Sequence, residues 1–449
     1  MPVPRALATL AVPTIISQLI TMIYNLADTF FIGMANDPSK TAASSLAFTL
    51  VFAMNCLSNL FGVGGGSLIS RLLGEKRDKD AKRVSSFSFY GSLLVAALYS
   101  LVVFLFMEPI LTFLGATSSS MQFSIDYTIW VIVIGAVPTT LAMMMSHLLR
   151  SEGYATHASV GLGFGGILNI ALDPLFMFVF LEPGNEVKGA AIATLISNLA
   201  VLVYFLIVYA SIRGRSVLSI NPFKMIPEKK YVYSVFAVGF PSALGALFAC
   251  LSSIMLNNLV SGYSDLYGDV PVASVGIAKK IDMLPMNVGM GLCQGMMPLV
   301  AYNFSAKNYK RMQDFTRAAR GAGIAFAVLC IFVFEIFAEP IVRIFIEDPT
   351  TVEMSTNFLR ILCLAVPLMI TNFQLSFTFQ AMGMGKESLL LASLRQGIIN
   401  IPLMILMNRL FGLYGILWTQ LISDTITIVI SFAVYRRAYS KLHLTTENT

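Results

Sequence analysis

The sequence contains little charge. Asp, Glu, Lys and Arg make up 12% of its 449 residues, whereas soluble domains carry about 25%. Hydrophobic residues make up 56% of the chain, and the mean hydropathy is +0.76. These values exclude an ordinary soluble domain. The apolar stretches are continuous rather than alternating, which excludes a membrane β-barrel and indicates a polytopic helical membrane protein.

Cysteine and histidine are also scarce. The five cysteines all lie in apolar runs without a close pair, so we expect core residues rather than disulfides or metal ligands. The three histidines have no metal-ligand spacing. The sequence also lacks an HExxH motif, an intramembrane Ser/His pair and a carboxylate cluster on a polar loop. We therefore expect no bound metal, no cofactor and no membrane-embedded enzyme.

The apolar runs are long enough for about twelve transmembrane helices. A helix needs about 20 apolar residues to cross the hydrocarbon core. The runs lie near residues 11–33, 42–70, 86–107, 123–148, 157–181, 189–211, 234–262, 271–302, 319–338, 355–380, 389–409 and 412–435.

Positive charge is concentrated in alternate loops. By the positive-inside rule, the even-numbered loops and both termini face the cytoplasm. The cations of these segments are Arg71, Lys76, Arg77, Lys79, Lys82 and Arg83, then Arg150, then Arg213, Arg215, Lys224, Lys229 and Lys230, then Lys307, Lys310, Arg311 and Arg317, then Lys386, and Arg436, Arg437 and Lys441 in the tail.

The chain repeats itself. The end of the second span, GVGGGSLISRLLGEKRDKDAKR, resembles the end of the eighth, GLCQGMMPLVAYNFSAKNYKR, when Lys76 is aligned with Lys307. We predict two six-helix lobes, at residues 1–212 and 232–449, joined by a cytoplasmic linker at 213–231. An even number of spans per lobe makes the repeat parallel, which is typical of transporters that open a central cleft to one side at a time.

Polar side chains interrupt the apolar runs of the first lobe. Asp28 lies one helical turn after Tyr24, and Asp173 lies one turn after Asn169. Thr194 occurs in the sixth span. Intramembrane acids are costly and are usually functional. If these groups converge, two close carboxylates would favour taking up a proton, and the same oxygens would equally suit a sodium ion at Asp28, Asn169 and Asp173.

Several segments resemble the multidrug and toxic compound extrusion (MATE) family. They are VPTIISQLI, YNLADTFFIG, GEKRDKDAKR and LNIALDPLF, in that order within the paired halves. The acids at Asp28 and Asp173 resemble those of the branch typified by the DinF and MepA proteins. The resemblance implies a cation site in the first lobe at Tyr24, Asp28, Asn169, Asp173 and Thr194. The seventh span, FPSALGALFACLSSIMLNNLV, has no carboxylate, so the resemblance implies no second-lobe cation site of the type found in another branch.

The same resemblance implies a function and a location. We expect a secondary active exporter that antiports cationic or amphipathic drugs or dyes against H⁺, or against Na⁺, by alternating access. It would be a multi-pass monomer in the prokaryotic plasma (inner) membrane, in contact with the lipid bilayer and not with nucleic acid.

The second lobe contains an unusual charge cluster in its eighth span. Lys279, Lys280 and Asp282 stand in VGIAKKIDMLPMN. They could line a substrate cleft, or form an internal ion pair with the lysines extending outward. Flexible and aromatic side chains at Met286, Met290 and Phe377 could form an adaptable cleft wall, although such residues in a bundle mostly pack.

Two other functions fit the sequence less well. A flippase for lipid-linked precursors has a related two-lobed architecture, but it would favour a large cationic cleft, and intramembrane cations are few. A membrane-embedded enzyme would require one of the missing catalytic motifs.

Overall fold

The computed structural model describes residues 1–34, 37–224 and 228–446. Within these ranges the chain is helical and contains no strand, which confirms the predicted all-α membrane class. The helices of the first half are α1 Val3–Met34, α2 Pro38–Gly74, α3 Asp78–Leu105, α4 Met107–Leu114, α5 Met121–Thr128, α6 Ala136–Ser151, α7 Ala155–Leu175 and α8 Glu186–Ile212.

The second half repeats this order of long helices. Its helices are α9 Lys229–Ser261, α10 Ser264–Tyr267, α11 Val270–Ser305, α12 Tyr309–Arg343, α13 Pro349–Cys363, α14 Val366–Ala381, α15 Gly385–Ser393 and α16 Asn400–Thr446.

Bent helices account for the number of spans. Within the described ranges, eight helical segments are long and apolar enough to cross a membrane, and ten if the bent pairs α5–α6 (51°) and α13–α14 (44°) each count as one. We assign α11, a helix of 36 residues, as the eleventh span; its three charged residues at 279, 280 and 282 lower its apolar character. The twelfth arises because α16 is broken at Gly412, which separates the last two spans.

The break at Gly412 depends on its lack of a side chain. Its φ of 63° lies in the left-handed region, which glycine adopts without steric cost. The chain therefore reverses between the last two spans without a separate loop. Leu410 and Phe411, immediately before the break, are exposed.

In the part of the chain that the structure describes, three spans contain π-helical turns. These are Ile129–Ile134 between α5 and α6, Phe176–Phe180 after α7, and Leu394–Ile398 between α15 and α16. Pro174 stands two residues before the second of these, inside α7. A proline in a helix removes a backbone donor and disturbs the preceding turn, which provides a physical reason for the irregular geometry here.

The two halves touch along a close helix–helix contact, which we call the seam. Gly295 of α11 packs on the backbone of Ala11 in α1, and Gly291 packs on Ile15 one turn further along. On the other side of the seam, Gly239 of α9 packs on the backbone of α2. These contacts lie in the parts of the helices nearest the even-numbered loops, so the halves are packed together at that end of the bundle.

A hydrophobic cluster continues across the seam. It combines Leu7, Ala11 and Val63 of the first half with buried residues of α11, α12 and α14 in the second. The hydroxyl of Ser67 in α2 also donates a hydrogen bond of 2.5 Å to the backbone carbonyl of Gln380 in α14. The end of the bundle near the even-numbered loops is therefore tightly packed.

Candidate cation site and charged clusters

Small residues bring α1 and α7 close together. A Cβ added at Gly163 would lie 3.1 Å from the Ile20 side chain, and one added at Gly166 would lie 3.1 Å from the ring of Tyr24. These glycines face α1. Asn169 and Asp173 follow them one and two turns further along α7, and they therefore lie beside the part of α1 that carries Asp28.

The structure brings the predicted polar residues of the first half together. The Asn169 amide nitrogen donates to Asp173 Oδ1 at 3.0 Å, and a longer contact of 3.4 Å joins it to the Thr194 hydroxyl of α8. Asp28 and Asp173 are both within electrostatic range of the Tyr24 phenol. Three helices, α1, α7 and α8, thus contribute to one polar chamber.

This chamber contains three buried oxygen atoms that accept no hydrogen bond from the described residues: Asp28 Oδ1, Asp173 Oδ2 and Asn169 Oδ1. The Asp173 side chain is fully buried. A buried carboxylate oxygen without a partner is energetically costly. A proton or a small cation would satisfy these atoms, and an all-oxygen ligand set suits a hard ion such as Na⁺.

Tyr127 belongs to the same chamber, although the sequence did not single it out. This residue of α5 is buried, and its phenol is within electrostatic range of Asp28, Asp173 and Tyr24. A tyrosine in a membrane span was the only available signal. The sequence alone does not show which span α5 packs against, so Tyr127 could not be assigned to the site.

The second half contains a buried ion pair that sequence reasoning also missed. Arg395 Nε lies 2.6 Å from Asp424 Oδ1, and the two side chains are 8% and 0% exposed. Asn372 and Gln420 donate to the same carboxylate at 3.2 and 2.9 Å. The guanidinium also lies over the Phe373 ring, 4.5 Å from its centroid. The sequence signal for this pair was the presence of Arg395 and Asp424 inside two apolar runs.

The predicted cluster on α11 lies partly beside this pair. Asp282 is within electrostatic range of Lys279, Arg395 and Asp424. Lys279 and Asp282 are half-buried, whereas Lys280 is exposed. Together with Asp282 these groups carry two positive and two negative charges, which fits the internal charge-compensation alternative for Lys279 and Asp282, although neither residue forms an ion pair within 4 Å among the described residues.

The apolar cleft candidates have different surroundings. Met286 and Met290 are partly buried; Met286 packs against a core cluster of the second half, and Met290 packs against the cluster that crosses the seam. Phe377 is buried and lines a small cavity at the seam. Arg150, which we expected in a cytoplasmic loop, is instead buried in the last turn of α6 and lines the same cavity.

No group of three or more His, Cys, Asp or Glu side chains in the described ranges is arranged to hold a metal ion. The chamber in the first half therefore differs from a conventional multi-carboxylate metal site. It combines two carboxylates with amide, hydroxyl and phenol groups.

Comparisons with solved structures identify the fold. The outward-facing conformation of a multidrug resistance MATE family transporter of the MOP superfamily superposes with a TM-score of 0.91 at 22% identity, covering 99% of this chain and 97% of the other. A MATE crystal structure in the bent conformation gives 0.89 at 22% identity, with coverages of 99% and 98%.

The relatives found by sequence comparison share a higher sequence identity with this chain than these solved structures do. The chain is 33% identical over 426 residues to the multidrug export protein MepA of Staphylococcus aureus (strain MRSA252), covering 95% of this chain and 92% of that protein. The corresponding protein of Staphylococcus saprophyticus is 32% identical over 416 residues, with coverages of 93% and 90%. The MatE family model matches residues 13–175 and 241–406. These matches span most of both halves, and the chain belongs to the MatE family of transporters.

Proposed function

We propose that this protein is a multidrug exporter that moves cationic or amphipathic small molecules out of the cell in exchange for protons. The observation that carries the proposal is the chamber in which Asp28 and Asp173, within electrostatic range of one another, each have a buried oxygen without a hydrogen-bond partner among the described residues. Two close carboxylates in a low dielectric favour sharing a proton. The names of the staphylococcal relatives support drug export.

The geometry of α1 supports a coupling mechanism. This helix carries Asp28 in the chamber and also Ala11 and Ile15 in the seam. Protonation would remove a charge from one part of the helix, and any repacking would be transmitted along it to the contact that holds the halves together. Pro13 lies inside the seam segment of α1 and removes a backbone donor there, which makes it a candidate hinge.

The closed seam supports an outward-facing state. With the even-numbered loops in the cytoplasm, the packed end of the bundle is the cytoplasmic end. In this state the chamber would exchange protons with the outside. Uptake of a proton would accompany drug release. Opening of the seam would then release the proton into the less acidic cytoplasm. The protein would act as a monomer in the prokaryotic cytoplasmic membrane.

Transport by purified protein in liposomes tests this proposal. Uptake of a cationic dye would be measured with a pH gradient and a sodium gradient imposed separately. We expect pH-driven transport by the wild type and its loss in Asp28→Asn, which holds the site in a neutral form. Asp265→Asn is the matched control, because Asp265 is an exposed acid outside the spans, and it should transport normally.

Asn169→Ala distinguishes the coupling ions. If sodium binds between the two carboxylates, loss of the Asn169 oxygen should weaken the sodium response more than the pH response. If the acids share a proton, Asp173→Asn should remove the mutual repulsion and lower the pH at which transport is half-maximal. Wild-type dependence on both gradients in Asp28→Asn and Asp173→Asn would show that coupling occurs elsewhere.

A further inference from the structure

The second half contains polar residues at the positions that correspond to the chamber of the first. Three segments of the first half, LAVPTIISQL, GILNI and GAAIATLIS, align with VGFPSALGAL, GIINI and GILWTQLIS of the second. The alignment gives three polar residues of the chamber polar counterparts: Ser252 for Tyr24, Asn400 for Asn169 and Gln420 for Thr194.

These counterparts also touch one another. The Ser252 hydroxyl of α9 donates to Asn400 Oδ1 at 2.8 Å. The Asn400 amide nitrogen donates to Gln420 Oε1 at 3.3 Å, and Asn169 and Thr194 make the matching contact at 3.4 Å in the first half. The second half therefore retains the polar framework of the chamber in three dimensions as well as in sequence.

The two acids of the chamber are not retained. The alignment places Leu256 at the position of Asp28 and Met404 at the position of Asp173. Both replacements are buried in one apolar cluster, with exposed fractions of 7% and 4%. The second half has thus lost both carboxylates that could exchange a proton or a sodium ion at these positions.

A different acid is present, and it is already neutralised. Asp424 lies one turn after Gln420 and accepts a hydrogen bond from its amide at 2.9 Å. The Arg395 guanidinium lies between this carboxylate, 2.6 Å from its Nε, and the face of the Phe373 ring, 4.5 Å away. A carboxylate and an aromatic face together are a typical binding environment for a guanidinium ion.

We propose that this arrangement is a cation site whose occupant is the side chain of Arg395, a tethered cation in place of an exchangeable one. With Arg395 shortened, the site would bind a free guanidinium ion between Asp424 and Phe373. An arginine side chain keeps its charge and cannot dissociate from the chain. Ion exchange would therefore be confined to the chamber of the first half. That consequence rests on the proposed function, whereas binding of free guanidinium does not.

Thermal unfolding of purified Arg395→Ala in lipid nanodiscs tests the site. Guanidinium chloride would be titrated through the low millimolar range against choline chloride at constant ionic strength. We expect a saturable rise in the unfolding temperature by mass action, and no rise in the wild type, whose site is occupied. Arg343→Ala is the matched control, because it removes an exposed, paired arginine, and it should show no response.

Two comparisons separate this site from a general effect of the salt. Asp424→Leu, added to Arg395→Ala, should abolish the guanidinium response, and sodium in place of guanidinium should give a much smaller rise. Gln420→Leu in the same background should shift the titration to at least several-fold higher guanidinium. No saturable rise in Arg395→Ala, an equal rise without Asp424, or an equal rise with sodium would overturn the proposal.

A second measurement keeps the test decisive if Arg395→Ala does not fold by itself. The variant would be synthesised in a cell-free system containing nanodiscs, with and without millimolar guanidinium, and the folded fraction measured by size-exclusion chromatography. We expect guanidinium to raise this fraction several-fold, and not in the variant that also lacks Asp424. No gain, or the same gain in both variants, would contradict the site. Neither measurement requires transport, so a failure of drug export would leave the result intact.

Discussion

Lys76 and Lys307 share an unusual backbone conformation. Their φ angles are 60° and 59°, and they are the non-glycine residues with positive φ in the described ranges. Each follows a long helix and closes it with the same pair of hydrogen bonds. The lysine N–H donates to the carbonyl of the residue three positions earlier, and the N–H of the following residue donates to the carbonyl five positions before that residue. This is the Schellman type of helix end. The repeat seen in the sequence therefore extends to the backbone of the two halves.

Replacement of these lysines by glycine should stabilise the protein. A left-handed conformation costs an L-residue about 1–2 kcal/mol, and the greater chain entropy of unfolded glycine offsets about 0.5–1 kcal/mol of that. We expect Lys76→Gly and Lys307→Gly each to gain up to about 1 kcal/mol, measured as a higher unfolding temperature in detergent. Arg83→Gly, at an exposed position in α3, should lose about 1 kcal/mol. Equal effects at all three positions would contradict the prediction.

The close packing at Gly295 should make the seam intolerant of a side chain. A Cβ at this position would collide with the backbone of Ala11 in α1, whereas a Cβ at Gly276 of the same helix meets nothing within 4 Å. Gly295→Ala should therefore shift the population away from the closed seam, as measured by distances between spin labels on the two halves. Gly276→Ala is the control and should leave these distances unchanged while stabilising α11 by up to about 1 kcal/mol. If the two variants gave the same label distances, the seam would not depend on this contact.

The Arg395–Asp424 pair should be intolerant of single changes. Removing either partner leaves a buried charge and should cost about 3–5 kcal/mol, because its desolvation is no longer compensated. Arg395→Met and Asp424→Leu together remove both charges and should recover most of that loss. Arg343→Met is the matched control. It breaks a pair whose side chains are 55% and 54% exposed, and it should cost less than about 1 kcal/mol. Additive losses in the double variant would argue against a coupled pair.

Glu152 should make stability depend on pH. It lies between α6 and α7 and accepts hydrogen bonds from the Ser216 hydroxyl and, at 2.8 Å, from the Val217 N–H. Burial raises its pKa above the ordinary value of 4.5, although these bonds oppose the shift. The folded state thus favours the protonated form, and this contribution is lost as the pH rises through the raised pKa.

Glu152→Gln should flatten the dependence of unfolding temperature on pH above about 4.5. Glu353→Gln, at an exposed position in α13, should leave the wild-type slope unchanged. Parallel curves for wild type and Glu152→Gln would show that Glu152 does not contribute.

The sequence predicted the spans because their signal is local. A run of apolar residues identifies a helix wherever it packs, and the i, i+4 spacing of Tyr24 and Asp28 and of Asn169 and Asp173 places each pair on one helix face. Their convergence needed one additional assumption, that helices of one half pack together. Whether the chamber binds the coupling ion stays a prediction.

Interactions between distant helices were not predictable in this way. Tyr127 reaches the chamber from α5, and Arg395 meets Asp424 across two different spans. A single sequence does not specify which helix faces meet. Arg150 shows the related limit of the positive-inside rule. We expected it in a cytoplasmic loop, but it is buried in the last turn of α6, because the rule does not distinguish a solvated cation from one buried at a helix–helix contact.

The charges of α11 have a consequence for biogenesis. This helix carries Lys279, Lys280 and Asp282 inside a span, where charged side chains are costly to insert. The groups beside Asp282, Arg395 and Asp424, are synthesised much later. We therefore expect α11 to enter the bilayer before its charges acquire these partners. The second half would reach its final arrangement only after α16 had left the ribosome.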